Sequence, residues 1–274
     1  MGVKTKLSLY EINSFFDAYN FVSIKNTKEG ITDTVYILKD INKKSYVLKL
    51  YENSSFKKVE EEIIILKSIR HLKCVLVIDT SKKYKKPLVL FSFEKAQVKS
   101  KFTFEHLKQI SIFLRQLHNV DFDYNISGDF ELKFYLENFV KSDEFLKRFE
   151  FIKTLKLEKN CLIHGDLFPD NVLFYKNSLK RVIDFSNSCI GDKQIDLTTV
   201  VLTWCYDNNR LDINKANFFL QEYDKSLTIE YIKDYLLYVC LYYATKRYIN
   251  LKNGVYKDVS YKHFLNMFDN IVLI

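Results

Sequence analysis

"LIHGDLFPDNVLF" (162–174) sets a histidine, two aspartates and an asparagine between two apolar runs. Flanks of that kind enter a core, and polar side chains gathered between them need partners or a ligand. Immediately downstream, "VLFYKNSLKRVIDF" (172–185) reads as a small β-hairpin. A hairpin lays its strands side by side, which brings Asn171, at the start of the first, near Asp184, at the end of the second. An amide oxygen and a carboxylate converging on one point suit a hard cation. Mg²⁺ takes such ligands and keeps water and phosphate oxygens for the rest of its shell. Asp166 then lies beside the metal, where a carboxylate can orient an attacking hydroxyl or accept its proton. This is the equipment for metal-assisted phosphoryl transfer to an alcohol.

The same chemistry demands parts upstream. ATP phosphates need a cation, and Lys49 in "YVLKLYE" (46–52) follows alternating apolar residues on an expected strand. Taken alone, Lys49 reads as an exposed strand lysine. With Asp166, Asn171 and Asp184 in order behind it, Lys49 reads as an inward-facing phosphate lysine, which requires a carboxylate partner. "SFKKVEEEIIILKSIR" (55–70) has helical spacing and offers Glu62 as that partner, with Glu61 second. The loop "NTKEGITDTVY" (26–36) places Gly30, Thr32 and Thr34 where backbone amides and hydroxyls can meet phosphate. One glycine is a weak signal, and it departs from the G-x-G-x-x-G of protein kinases.

Around these residues the chain changes character once. "SLYEINSFFDAY" (8–19) opens with the Ser8/Glu11 capping-box pattern of a helix. "TDTVYILKD" (32–40) and "KSYVLKLYE" (44–52) form an expected hairpin, and "VLVID" (75–79) and "PLVLFSF" (87–93) two more strands. From about residue 100 the periodicity turns helical, first in the amphipathic "TFEHLKQISIFLRQLHNV" (103–120), then over 131–156 and in the tail to 274. The expected class is α+β, with a sheet-rich nucleotide-binding lobe over 1–94 and a larger, mainly helical catalytic and substrate-binding lobe over 95–274.

Composition narrows the alternatives. With 274 residues and 47% hydrophobic content the chain can bury a substantial core. The net charge of +8 gathers in runs such as "SKKYKKP" (81–87), which fit a solvated turn and a field that attracts an anionic nucleotide. No nucleic-acid motif accompanies them, so a nucleic-acid partner is not expected. The five cysteines are scattered without a CxxC pair, which excludes a zinc or disulfide framework. No apolar run approaches the roughly 18 residues of a membrane span, and the first residues lack a secretory pattern. A cytoplasmic protein without membrane contact is the expectation, and these features do not set its oligomeric state.

"HGDLFPDNVLF…VIDF" resembles the H-G-D-x-x-x-x-N…I-D-F signature of the aminoglycoside phosphotransferase and choline kinase superfamily, which has the bilobal protein-kinase-like fold. More narrowly, the chain resembles the homoserine kinases built on that fold, which are unrelated to the GHMP type. Besides that stretch, "VIDFSNSCIGDKQIDLTTVVLTWCYD" (182–207) and "FLQEYDKSLTIEYIKDYLLYVCLYYATKRYINL" (219–251) carry the likeness, which extends from about Leu7 to near residue 255. The resemblance implies ATP and Mg²⁺ as cofactors, Asp166 as the catalytic aspartate, Asn171 and Asp184 as metal ligands and Lys49 as the phosphate lysine. It implies that His164 braces the loop and that Asp196 is a structural carboxylate tying the following helix to it. The acceptor it implies is L-homoserine, giving O-phospho-L-homoserine for threonine biosynthesis.

The chain also departs from that pattern. "FEKAQ" (93–97) replaces the usual Pro-Gly turn, Thr198 and Thr199 stand in place of the usual alanine-rich segment, and Tyr242 stands where arginine is expected. A guanidinium fork best holds a carboxylate, which makes Arg247 the candidate for that of homoserine, beside the plainer reading of an exposed helix residue. Asp207 is the candidate for its ammonium, and Trp204 either shapes the pocket or belongs to the core. Choline, an aminosugar or an aminoglycoside remain alternative acceptors, and a catalytically silent nucleotide-binding regulator is the alternative to an enzyme.

Overall fold

Ser8 caps the first helix as its spacing requires: its hydroxyl accepts from the Glu11 amide and the Glu11 carboxylate accepts from the Ser8 amide. In the computed structural model, which describes residues 4–27, 33–207, 210–254 and 259–274, this helix is α1 (Leu9–Phe15). Strands β1 (Phe21–Asn26), β2 (Thr34–Asp40) and β3 (Ser45–Leu50) follow, then α2 (Phe56–Ser68), β4 (Val77–Ser81) and β5 (Leu88–Ser92). The strands make one antiparallel sheet in the order β1-β2-β3-β5-β4.

The alternation along β3 sorts its side chains. Tyr46, Leu48 and Leu50 enter a core with Ile12 of α1, Phe16 at its C-cap, Tyr36 and Leu38 of β2, and Leu88 and Leu90 of β5. Val47 and Lys49 therefore face the opposite side. β1 was not anticipated from the sequence; only Phe21 in it is buried, and its place is fixed by pairing with β2.

The helical part begins with α3 (Phe104–His118), capped by Thr103 with His106 in the reciprocal position. The single helical region expected over 131–156 is two helices, α4 (Leu132–Phe139) and α5 (Asp143–Phe149), interrupted at buried Val140. Next come β6 (Cys161–Ile163), a 3₁₀ turn at 169–171, the hairpin strands β7 (Val172–Tyr175) and β8 (Ser178–Val182), and β9 (Cys189–Gly191), which pairs with β6. The chain continues through α6 (Lys193–Trp204), the short pair β10 (Tyr206–Asp207) and β11 (Arg210–Leu211), α7 (Ile213–Tyr223), α8 (Ile229–Lys252) and α9 (Tyr261–Val272). Every α8 residue from Leu236 to Thr245 is buried, so α8 runs through the middle of the helical core and packs on α6 and α9.

The chain divides into two compact units, residues 1–96 with 180–186, and residues 97–179 with 187–274. In place of the single expected cut at 94/95, the chain passes between the units at 96/97, 179/180 and 186/187. Residues 180–186 join the first unit because Val182 donates to the Lys73 carbonyl (2.7 Å) and accepts from the Val75 amide (2.9 Å). Arg181 also pairs with Glu94 at 3.0 Å. No helix among the described residues is long and apolar enough to cross a membrane.

Candidate active site

In the first unit, the face of β3 opposite the apolar core carries Lys49. Its ammonium lies 3.0 Å from Asp184 Oδ1 and 3.4 Å from Asp33 Oδ2. Burial opposes the charge most strongly, but Asp184, Glu62, Tyr51 and Asp33 together outweigh it and hold Lys49 well above the usual lysine range. Glu62 is the buried carboxylate of α2, as its helical face requires. It accepts a hydrogen bond from Tyr51 OH (2.9 Å) and acts on Lys49 through its field, so the expected Lys49–Glu62 ion pair is replaced by pairs to Asp184 and Asp33. Burial raises the Glu62 carboxyl above its ordinary value despite the nearby lysine. Glu61 pairs with Lys58 on the outer face.

Asp184 itself adopts φ +61°, a left-handed conformation that costs an aspartate of order 1 kcal/mol, and Ser186 Oγ donates to its Oδ1 at 2.8 Å. Thr34 does not present its hydroxyl to a ligand. The group is buried, donates to Glu52 Oε1 (2.5 Å) and accepts from the amides of Lys4 and Thr5. Gly30 and Thr32 lie outside the described residues.

In the second unit, β6 delivers the loop that begins at His164. Asp196, fully buried in the first turn of α6, accepts from the amides of His164 (2.7 Å) and Gly165 (2.8 Å), and its Oδ2 lies 3.0 Å from His118 Nε2. Burial works against this carboxylate, but the hydrogen bond from His118 and the donors around it hold its pKa below the ordinary value. Gly165 has φ +77°, and a Cβ there would meet the Asn187 carbonyl at 2.6 Å, so only glycine fits the turn. His164 is buried; its Nδ1 accepts from the Asp166 amide (3.2 Å), and its carbonyl accepts from Ser188 Oγ (3.0 Å).

Asn171 closes the loop by donating from Nδ2 to the Asp166 carbonyl at 2.8 Å. Its Oδ1 accepts no hydrogen bond from a described residue and is the end left for a ligand. That oxygen, in the second unit, and the Asp184 carboxylate, in the first, are each hard donors of the kind Mg²⁺ takes. Among the described residues no group of three or more His, Cys, Asp or Glu side chains is placed to hold a metal.

The expected acceptor residues fare differently. Trp204 is buried, donates from Nε1 to the Leu167 carbonyl (3.0 Å) and packs on Phe102, so it belongs to the core beneath the loop rather than to a pocket wall. Arg247 donates to the Val259 carbonyl (3.0 Å) and lies over the Phe264 ring, contacts that brace α8 to the start of α9. The Asp207 side chain lies outside the described residues.

Nearer the loop are residues that the sequence did not single out for this role. Tyr243 OH reaches the Gly165 carbonyl at 3.5 Å, Tyr242 donates to the Asp129 carbonyl at 2.8 Å, and the Phe130 ring packs tilted against that of Tyr242. Burial first, and then the charge of Asp129 for Tyr242 and of Asp166 for Tyr243, raises both tyrosines well above their usual range. In the sequence Tyr242 stands out only as a departure from arginine. Asp33 and Asp129 carried no local signal at all.

A model of the phosphotransferase enzyme family matches residues 23–226. The chain is 27% identical over 271 aligned residues to a homoserine kinase of Zymomonas mobilis, an alignment that covers 86% of this chain and 81% of that one. Among solved structures it is similar to a choline kinase of Streptococcus pneumoniae, with a TM-score of 0.70, 16% identity and coverage of 96% of this chain and 97% of that one. It is also similar to a spectinomycin phosphotransferase in complex with ADP and spectinomycin, with a TM-score of 0.68, 14% identity and coverage of 98% of both chains. At these identities the structural likeness establishes the fold, the α+β protein-kinase-like one.

Proposed function

The chain belongs to the phosphotransferase enzyme family, and from that premise we propose that it transfers the γ-phosphate of ATP to the hydroxyl of L-homoserine, giving O-phospho-L-homoserine and ADP. The observation that carries the reaction is the loop holding Asp166: two backbone amides fixed on Asp196, a glycine that no other residue can replace, and Asn171 bonded to the Asp166 carbonyl. Such bracing is what an in-line attack needs, because misplacement of a reacting group by about 1 Å can cost 10²-fold in rate. The homoserine kinase aligned over 86% of the chain supports this acceptor.

In this reading Asp166 orients the acceptor hydroxyl and takes its proton as the oxygen attacks the γ-phosphorus. The bond from that phosphorus to the ADP oxygen breaks, and no covalent phosphoenzyme forms. Lys49 neutralises phosphate oxygens, and its ion pairs with Asp184 and Asp33 set its position. Asn171 Oδ1 and Asp184 are the residues that would hold Mg²⁺, which supplies charge neutralisation to the phosphates when bound.

Choline is the second reading, because the aromatic surface formed by Phe130, Tyr135 and Tyr242 suits a quaternary ammonium. Lys246 projects into that surface, 4.2 Å from the centre of the Tyr135 ring, and repels a permanent cation.

The test is ADP release from MgATP with L-homoserine, choline, an aminosugar and kanamycin in turn, with Asp166→Asn in parallel. Turnover is expected on L-homoserine, falling by about 10²–10⁴-fold in the variant while nucleotide binding persists. Turnover confined to another alcohol would overturn the acceptor. ATP binding without turnover on any of the four would overturn the reaction.

A further inference from the structure

Gly128 packs so closely on β9 that a Cβ would meet Cys189 Sγ at 2.3 Å, and this contact anchors the segment that carries Asp129 and Phe130. From the other side, α8 presents Tyr242 and Lys246, one turn apart. Tyr242 holds the backbone of the segment at the Asp129 carbonyl. Lys246 Nζ lies 3.0 Å from Asp129 Oδ2 and 3.1 Å from Tyr135 OH, and the Tyr135 hydroxyl donates to the other oxygen of Asp129. The Asp129 side chain is nonetheless 64% exposed and that of Lys246 34%, so both charges are open to a solute. The cluster adjoins the catalytic loop: the Phe130 ring lies 3.1 Å from where a Cβ of Gly165 would stand, and the next residue of α8 reaches the Gly165 carbonyl.

We propose that Asp129 and Lys246 are the head-group subsite for the acceptor, Asp129 taking its α-ammonium and Lys246 its α-carboxylate against the rings of Tyr135 and Tyr242. The assignment rests on the homoserine reading and supplies its specificity determinants, with Lys246 in place of Arg247. A paired anion and cation, net neutral and partly solvated, match a zwitterion charge for charge. Binding exchanges one internal ion pair for two intermolecular ones, and the aromatic face adds cation–π attraction for the ammonium. An acceptor bearing only a cation has nothing to offer the displaced lysine, and a polycation has less. Discrimination is thereby built from attraction at Asp129 and repulsion at Lys246.

The test uses Asp129→Asn and Lys246→Met in the full chain, with Lys246→Arg as the variant that keeps the cation. KM is measured for L-homoserine and for MgATP. Two half-acceptors serve as competitors, 3-amino-1-propanol with only the ammonium and 4-hydroxybutanoate with only the carboxylate. KM for L-homoserine is expected to rise about 10-fold or more in Asp129→Asn and Lys246→Met, with KM for MgATP and Tm unchanged and Lys246→Arg near native. Competition should weaken crosswise, the amino alcohol in Asp129→Asn and the hydroxy acid in Lys246→Met. An exposed pair serving only as a surface staple would leave KM for L-homoserine unmoved in both variants, and that result overturns the subsite alone. Failure of the native protein to phosphorylate L-homoserine overturns the acceptor reading and the subsite with it.

Discussion

Replacing Asp196 by asparagine removes a charge but hardly any volume, which isolates what the carboxylate contributes. Its Oδ2 faces both the His164 amide and His118 Nε2, and its Oδ1 faces the Gly165 amide. Asparagine retains one oxygen, so in either orientation at least one buried N–H is left facing an NH₂ group. Hydrogen bonds to a charged group contribute about 1.5–3 kcal/mol, and the stranded donor adds its own desolvation, for a total of about 3 kcal/mol. In a unit of this size each kcal/mol lowers Tm by about 2–4 °C, which predicts a fall of about 6–12 °C in scanning calorimetry at pH 7. The dependence on pH has a defined sign. Asp196 is depressed in the fold, so its stabilisation is fully present above the ordinary carboxylate value and is lost as pH falls through the lower folded value. The gap between native and variant should therefore be constant from pH 8 to about 5 and narrow only below about 4. A fall under about 2 °C at pH 7, or a gap that narrows well above pH 5, would refute the account of Asp196 as a charged brace.

Gly165→Ala forces a Cβ onto the Asn187 carbonyl at a left-handed φ, which should cost more than about 1 kcal/mol in stability. Displacement of the loop should lower kcat about 100-fold, read as ADP release at saturating substrate. Trp204→Phe leaves the buried Leu167 carbonyl without its donor and should lower stability by about 1–3 kcal/mol in urea titration, with KM for the acceptor unchanged. Lys49→Met strands the acids around it and should lower stability by about 3 kcal/mol, besides raising KM for MgATP. Because Lys49 is raised in the fold, its contribution is fully present below the unfolded value of about 10.4 and lost only as pH rises through the higher folded one. The stability difference between native and Lys49→Met should then be flat from pH 6 to 10.

What the sequence made legible was encoded over short distances. The Ser8–Glu11 cap, the β3 alternation that turns Lys49 away from the apolar core, and the five-residue step from Asp166 to Asn171 each depend on neighbours within a turn or two. What stayed hidden depends on pairing across the chain. β1 exposes nearly all its side chains, so only β2 defines it as a strand. Glu62 lies on the buried face of α2, yet no local rule shows that Tyr51 takes its carboxylate while Asp184, 135 residues from Lys49, takes the ammonium. Asp129 and Lys246 are 117 residues apart and read singly as surface charges. The division follows from the chemistry. Groups that react together must keep a fixed spacing, so one loop carries Asp166 and Asn171 and the spacing can be read. Groups that recognise an acceptor need only surround it, so two distant elements can each supply one charge, and neither segment alone announces the partner that gives its charge a purpose.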